Sequence, residues 1–187
     1  MPKGLPGGNR TPGPGRAHPE GPAEEKNMSL IPRFIEYAGA FEKAFESDDW
    51  SGVAPFLAEG AVYEVGLPLL GAERCEGRDA ILAWFPDVLD RFDRRFESRA
   101  LVLLEGPREE GTEVWIRGKA IYRSAGAPDL ELILEETLEF EGDRIIRLED
   151  RYESSMVAEV ERFVERYGPT LGIELKASRA AGGSASD

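Results

Sequence analysis

The stretch Asp129–Glu153, DLELILEETLEFEGDRIIRLEDRYE, decides how this chain is read. Its even positions run Leu130, Leu132, Leu134, Glu136, Leu138, Phe140. Its odd positions run Asp129, Glu131, Ile133, Glu135, Thr137, Glu139. Period-two alternation predicts a strand with one buried face and one mostly wet face. After Glu141-Gly142-Asp143 the alternation resumes, with Ile146, Leu148, Asp150, Tyr152 on one parity and Ile145, Arg147, Glu149, Arg151 on the other. Two such runs joined by a Gly-containing connection predict a β-hairpin.

The faces select a register. A two-residue loop at Gly142-Asp143 sets Leu138 against Arg147, whereas a three-residue loop, Glu141 to Asp143, pairs Leu138 with Ile146 and Leu132 with Tyr152. The three-residue loop is expected, because a one-residue slip turns the apolar set of one strand to water. In that register Glu136 faces Leu148 and Asp150 lies diagonally, at about 7–8 Å. Two carboxylates thus interrupt an otherwise apolar face at neighbouring places.

Outward from the hairpin, elements alternate with turns. Phe34, Ile35, Ala38, Phe41 and Phe45 mark an amphipathic helix over Leu30 to Asp48. A short helix through Trp50, Val53, Phe56 and Leu57 follows, then a strand from Ala61 to Val65 and a Gly-rich loop over 66–78. The set Ile81, Trp84, Phe85, Val88, Leu89, Phe92 is helical, with Pro86 either kinking it or opening a second helix. Strands are expected over Ser98–Glu105 and Glu113–Arg123, around a turn from Gly106 to Gly111. A closing helix through Met156, Val160, Phe163, Val164 and Tyr167 is expected to stop at Gly168 before Pro169. Helices first and a run of strands afterwards predict an α+β domain over 29–175, with a curved, mostly antiparallel sheet wrapped on N-terminal helices. Residues 1–28, rich in Gly and Pro, are expected to form a disordered leader, and 176–187 a loose tail.

Composition narrows the function. The formal net charge is −13, and the acidic excess lies in the body rather than in the two tails. Such a surface repels nucleic acid and anionic membrane, so neither is expected as a partner. No apolar run has the length of a membrane span, and Cys75 is the only cysteine, so a cytoplasmic protein is expected. The single histidine, His18, lies in the leader. The body therefore has no histidine for a Ser-His or Cys-His nucleophile, nor a usual zinc set. Chemistry falls to carboxylates, tyrosines, Lys, Arg or an external cofactor.

Four local passages carry a resemblance. The first helix runs into Ser47-Asp48-Asp49-Trp50, and Phe56-Leu57-Ala58-Glu59-Gly60-Ala61-Val62-Tyr63 joins helix to strand. Gly77-Arg78-Asp79-Ala80-Ile81 opens the third helix, and Gly142-Asp143-Arg144-Ile145 is followed by Asp150-Arg151-Tyr152-Glu153. In this order they resemble the nuclear transport factor 2-like superfamily, and within it the SnoaL-like, polyketide cyclase-like group, over residues 30–155. The resemblance implies a cone-shaped sheet with a pocket between sheet and helices, often in a homodimer. It also implies a range of roles: isomerase, cyclase, dehydratase, epoxide hydrolase or non-catalytic binder. At the positions where ketosteroid isomerases of this fold carry their acid Tyr and base Asp, this chain has Phe41 and Val65. SnoaL-type cyclases use a His that this body lacks. An epoxide-hydrolase-like trio can be drawn from Glu136, Arg117 and Asp150.

Two functions stay open. One is a metal-free and cofactor-free acid/base enzyme acting on a small apolar ring compound. Glu136 and Asp150 would move protons and Arg117 would assist, in a pocket lined by Tyr63, Trp84, Trp115, Leu134, Leu148 and Tyr152. The other is a non-catalytic ligand-binding or dimerisation module of the same fold.

Overall fold

The computed structural model describes residues 29–67 and 74–174. The expected leader and tail lie outside these residues. Helix α1, Ile31–Ser47, starts with a proline in its first turn and ends where Asp48 turns left-handed (φ 60°) and donates its N–H to the Ala44 carbonyl. Its stripe buries Phe34, Tyr37 and Ala44. Two 3₁₀ turns follow, Trp50–Gly52 and Ala54–Phe56, the first capped by the Asp49 carboxylate accepting from the Ser51 N–H. Strand β1 runs Leu57–Val65 and so begins earlier than its alternation implies. A register shift between Leu57 and Val62 interrupts it there. Strand β2, Arg74–Glu76, was not legible in the Gly-rich loop, because three residues are too few to show a period.

Helix α2, Arg78–Arg91, passes through Pro86 without dividing. Ile81 lies before the proline and Val88 and Leu89 after it, and all are buried. Burial of about 1.5–3 kcal/mol per large apolar side chain on both sides outweighs the roughly 3 kcal/mol a helical proline costs.

The remaining strands are β3 (Ser98–Glu110), β4 (Glu113–Arg123), β5 (Leu130–Glu141) and β6 (Arg144–Arg151). Strand β3 runs through the passage expected to be a turn. It does so by two register irregularities, between Leu103 and Glu105 and between Glu105 and Arg108. Gly106 lies within them at φ +90°, where an added Cβ would stand 2.7 Å from the Trp115 carbonyl oxygen. A glycine that reads as a turn residue thus serves as an irregular point inside a strand. The six strands form one sheet in the order β2-β1-β6-β5-β4-β3, antiparallel except for the parallel pair β1 and β6.

The central hairpin corrects the expected register. The loop is the two-residue Gly142-Asp143, with Glu141 paired to Arg144 and Phe140 to Ile145. A bulge then leaves Ile146 over, and pairing resumes as Glu139 with Arg147, Leu138 with Leu148 and Glu136 with Asp150. The extra residue shifts the parity of β6 by one. Ile145 and Leu148, odd and even, can therefore both be buried, while Ile146 is only partly so. A turn and a bulge together achieve what the longer loop was expected to do, and they bring the two carboxylates directly opposite one another.

Helix α3, Ser154–Leu171, also runs past its expected stop. Gly168 and Pro169 lie inside it, and it ends at Gly172 (φ 68°). Ile173 folds back, donating its N–H to the Gly168 carbonyl at 2.9 Å and burying its side chain. A Cβ at position 168 would lie 2.7 Å from the Ile173 oxygen, so this glycine is a packing residue rather than a terminator. Among the described residues no helix is long and apolar enough to cross a membrane.

Candidate active site

Between the helices and the concave face of the sheet lies a cavity of about 270 Å³. Strand alternation decides what enters it. The even residues Leu134 and Glu136 of β5 face inward, as do Leu148, Asp150 and the following Tyr152 of β6. Tyr63 comes from β1 and Trp84 from α2. These seven are all residues the sequence singled out.

Trp115 and Arg117 are not brought there. In register with Thr137 and Glu135, they point to the opposite face of the sheet from Ile116 and Glu136. The Arg108 guanidinium lies over the Trp115 ring at 5.0 Å, and Arg117 meets Glu105 at 3.4 Å. Odd and even residues of one strand cannot share a face, so the trio with Arg117 does not assemble. Nor does Arg151 reach the pair, since it bonds Glu149 at 2.7 Å.

Glu136 and Asp150 are register partners on one face, which sets their Cβ atoms about 4.5–5.5 Å apart. The Tyr63 hydroxyl donates to Asp150 Oδ2 at 2.6 Å. Burial pushes Glu136 up to about 8, with the charge of Asp150 adding to it. Burial pushes Asp150 up to about 7, opposed by the Tyr63 hydrogen bond and assisted by the charges of Asp93 and Glu149. Desolvation disfavours the ionised form of each, and two like charges side by side disfavour it again. The Tyr63 bond makes the difference between them: it supports the carboxylate of Asp150 and leaves Glu136 the better holder of a shared proton. Tyr37 and Tyr152, also in the cavity wall, stay protonated, each raised well above the usual phenol range by burial first and by nearby carboxylates second.

A second polar group in the wall escaped the sequence reading. Asp93 accepts from the Tyr122 hydroxyl at 2.8 Å and lies 3.8 Å from Arg99 Nη1. Arg99 Nη2 donates to both Glu42 oxygens at 2.7 Å, and its guanidinium stacks on Phe45 at 3.9 Å. Burial raises the Asp93 carboxyl, while the Tyr122 hydrogen bond and the Arg99 charge oppose it. Positions 42, 93, 99 and 122 come from a helix, a connection and two strands, so no local spacing announces them. Tyr37 was legible, since it stands three residues after Phe34 on the α1 stripe.

Replacing Tyr63 by Phe removes the donor on Asp150 and leaves the ring. A charge-assisted hydrogen bond of about 1.5–3 kcal/mol corresponds to about 1–2 pH units. Asp150 in Tyr63→Phe is therefore expected to titrate that much higher by carboxyl-carbon NMR. An unchanged midpoint would show that the bond does not hold Asp150 in solution.

Solved structures share this architecture. An NTF2-like protein of unknown function from Burkholderia pseudomallei aligns with a TM-score of 0.55 at 19% identity, over 73% of this chain and 98% of its own. The chain adopts the nuclear transport factor 2-like fold. TerC, solved with polyporic acid, has the same fold with a TM-score of 0.54 at 15% identity, over 71% of this chain and 98% of its own. An LEH-like epoxide hydrolase of M. tuberculosis aligns with a TM-score of 0.50 at 15% identity, over 74% and 97%. No family model matches the chain, and no curated protein does. At these identities the nuclear transport factor 2-like fold is what is shared, and the chemistry has to be argued from this cavity. Among the described residues no group of three or more His, Cys, Asp or Glu is placed to hold a metal ion.

Proposed function

We propose that this protein performs cofactor-independent acid/base chemistry on a small, largely apolar ring compound held in the cavity. Glu136, protonated at neutral pH, gives a proton to the ligand. Asp150, oriented by Tyr63 and the more acidic of the two, takes one in its ionised form. The observation that carries this reading is the direct pairing of Glu136 with Asp150 in a cavity walled largely by Leu, Tyr, Trp and Phe. Environments that push two carboxyls apart in acidity supply an acid and a base at one pH. Neighbours of the same fold include an LEH-like epoxide hydrolase and a protein solved with polyporic acid, which is in keeping with a small-molecule role.

Carboxyl-carbon NMR titration of the full chain tests the pairing. Glu136 and Asp150 are expected to titrate above about 6, in two linked steps that belong to the pair. If both midpoints lie near 4, the pair is solvated and proton transfer through it is lost.

A specific observation also favours the dimerisation reading. Strand β3 is an edge of the sheet, and Leu101, Val102, Leu103 and Leu104 along it are 55, 40, 55 and 42% exposed. A contiguous apolar strip on a sheet edge is a surface that proteins cover. We infer a homodimer through this strip. The full chain is expected to sediment as a dimer and Leu103→Lys as a monomer. A monomeric wild type at tens of micromolar would end this inference.

A further inference from the structure

The charges in the cavity wall are unequal. Glu42, Asp93, Glu136 and Asp150 are its acidic members among the described residues, and Arg99 is its basic member. Arg99 is already committed, with Glu42 on Nη2 at 2.7 Å and Asp93 near Nη1 at 3.8 Å. An anionic ligand would meet no unpaired cation in this wall. Glu136 and Asp150, by contrast, face each other, and among the described residues neither has an ion pair with a basic side chain. The same cavity wall carries aromatic side chains, among them Tyr37, Phe41, Tyr63, Trp84, Phe85 and Tyr152. Tyr63 and Trp84 meet nearly edge to face, with centroids 5.2 Å apart and planes at 76°, so two differently oriented rings border the same space.

Carboxylates without a counter-ion, set among aromatic faces, are complementary to one ligand chemistry. A cation over an aromatic ring is attracted by the ring quadrupole, most strongly where water is excluded. The same cation beside the acid pair would favour its ionised form, which burial and like charge disfavour. At about 270 Å³ the cavity lies just below the roughly 300–1,000 Å³ of drug-sized ligand sites, so it suits a single substituted ring.

We propose that the cavity takes a small organic cation, an amine or ammonium compound with an apolar ring body, whose nitrogen lies between the Glu136–Asp150 pair and the rings of Tyr63 and Trp84. This deepens the reading of the cavity as a small-molecule site and rests on it. Of the groups facing the pair, Tyr37 comes from α1, Tyr63 from β1, and Tyr152 from just after β6. Asp93 acts on Asp150 from beyond α2, and Arg99 and Glu42 complete the charged part of the wall.

A matched pair of probes tests it: phenyltrimethylammonium and its uncharged isostere tert-butylbenzene. Both are titrated into the full chain at pH 8 and 0.15 M salt, where screening limits loose attraction of cations to the acidic surface. Binding is followed by the aromatic and carboxyl NMR signals of Tyr63, Trp84, Glu136 and Asp150. The cation is expected to bind at least about tenfold more tightly, the scale of a partly desolvated cation–π contact with a carboxylate added. In Glu136→Gln with Asp150→Asn that preference is expected to vanish, with dispersed Tyr63 and Trp84 signals reporting that the variant is folded. Equal or tighter binding of tert-butylbenzene to the wild type overturns the cation inference and leaves the small-molecule site standing. A preference for the cation that survives in the double variant overturns it as well, since the attraction then lies elsewhere. If neither probe moves these signals, the inference and the small-molecule reading fail together.

Discussion

Between pH 5 and pH 9 the protein is expected to lose up to about 7 kcal/mol of stability through Glu136 and Asp150. Both are carboxyls whose folded-state acidity is weakened, to about 8 and about 7. Below about pH 3 they are protonated whether the chain is folded or not, and they contribute no slope. As pH rises from there, the unfolded chain releases its protons first, while the folded chain keeps them until about pH 7 to 8. In that window the folded state holds more protons, so stability falls with rising pH, by at most about 1.4 kcal/mol per unit for each group. Asp48, Asp49 and Glu64 are shifted the other way, lowered by hydrogen bonds from Trp50, Ser51 and Arg147 respectively. Their effect is lost as pH falls below the ordinary carboxylate range, which lies outside the window. Asp93 is also raised by burial and adds a slope of the same sign.

Urea denaturation at intervals from pH 5 to pH 9 measures this. Glu136→Gln keeps the shape of the side chain and removes both its own titration and its charge on Asp150. The variant is expected to show a flatter profile and to exceed the wild type at pH 9 by up to about 4 kcal/mol, while nearly matching it at pH 5. Parallel profiles for the two proteins would mean that Glu136 is solvated and that the cavity is not as dry as its lining indicates.

Phe85→Ala is expected to cost about 3–5 kcal/mol, a large part of the roughly 5–15 kcal/mol that holds a domain folded. Phe85 is 2% exposed and is the ring on which several others meet. Its centroid lies 5.2 Å from Phe41, 5.2 Å from Trp50, 5.6 Å from Tyr63 and 6.2 Å from Trp84. Truncation removes the transfer free energy of the ring and leaves a hole that these neighbours cannot all fill, because each is fixed by a different element. Two of them, Tyr63 and Trp84, are cavity walls, so the loss reaches the site. The Tyr63 hydroxyl is expected to leave Asp150 as its ring tilts into the hole. Denaturation at pH 6 reads the stability, and the Asp150 titration midpoint reads the site. A cost under about 1 kcal/mol would show that the cluster repacks freely.

Part of this protein is legible without coordinates. Alternation along 129–153 established that Glu136 and Asp150 share the apolar face, and the same alternation brought Leu134, Leu148 and Tyr152 to it. Helical spacing assigned Trp84 and Phe85 to one buried stripe. These are properties of neighbouring residues along one backbone, since the direction of a side chain follows from the period of its own element. The charge of the body and the position of the only histidine are likewise facts of the chain alone, and they removed whole classes of chemistry.

Proximity across elements was decided only by the tertiary structure. The bulge at Ile146 set Glu136 opposite Asp150 instead of diagonal to it, because burying both Ile145 and Leu148 outweighs regular pairing. Arg117 looked like a partner from its charge, but β4 turns it away from Glu136 by the very alternation that brings Ile116 in. Asp93, Arg99, Glu42 and Tyr122 meet because a connection, a helix and two strands pack together, an arrangement that no window of sequence contains. Local periodicity determines which way a residue points, and packing between distant segments determines what it meets there.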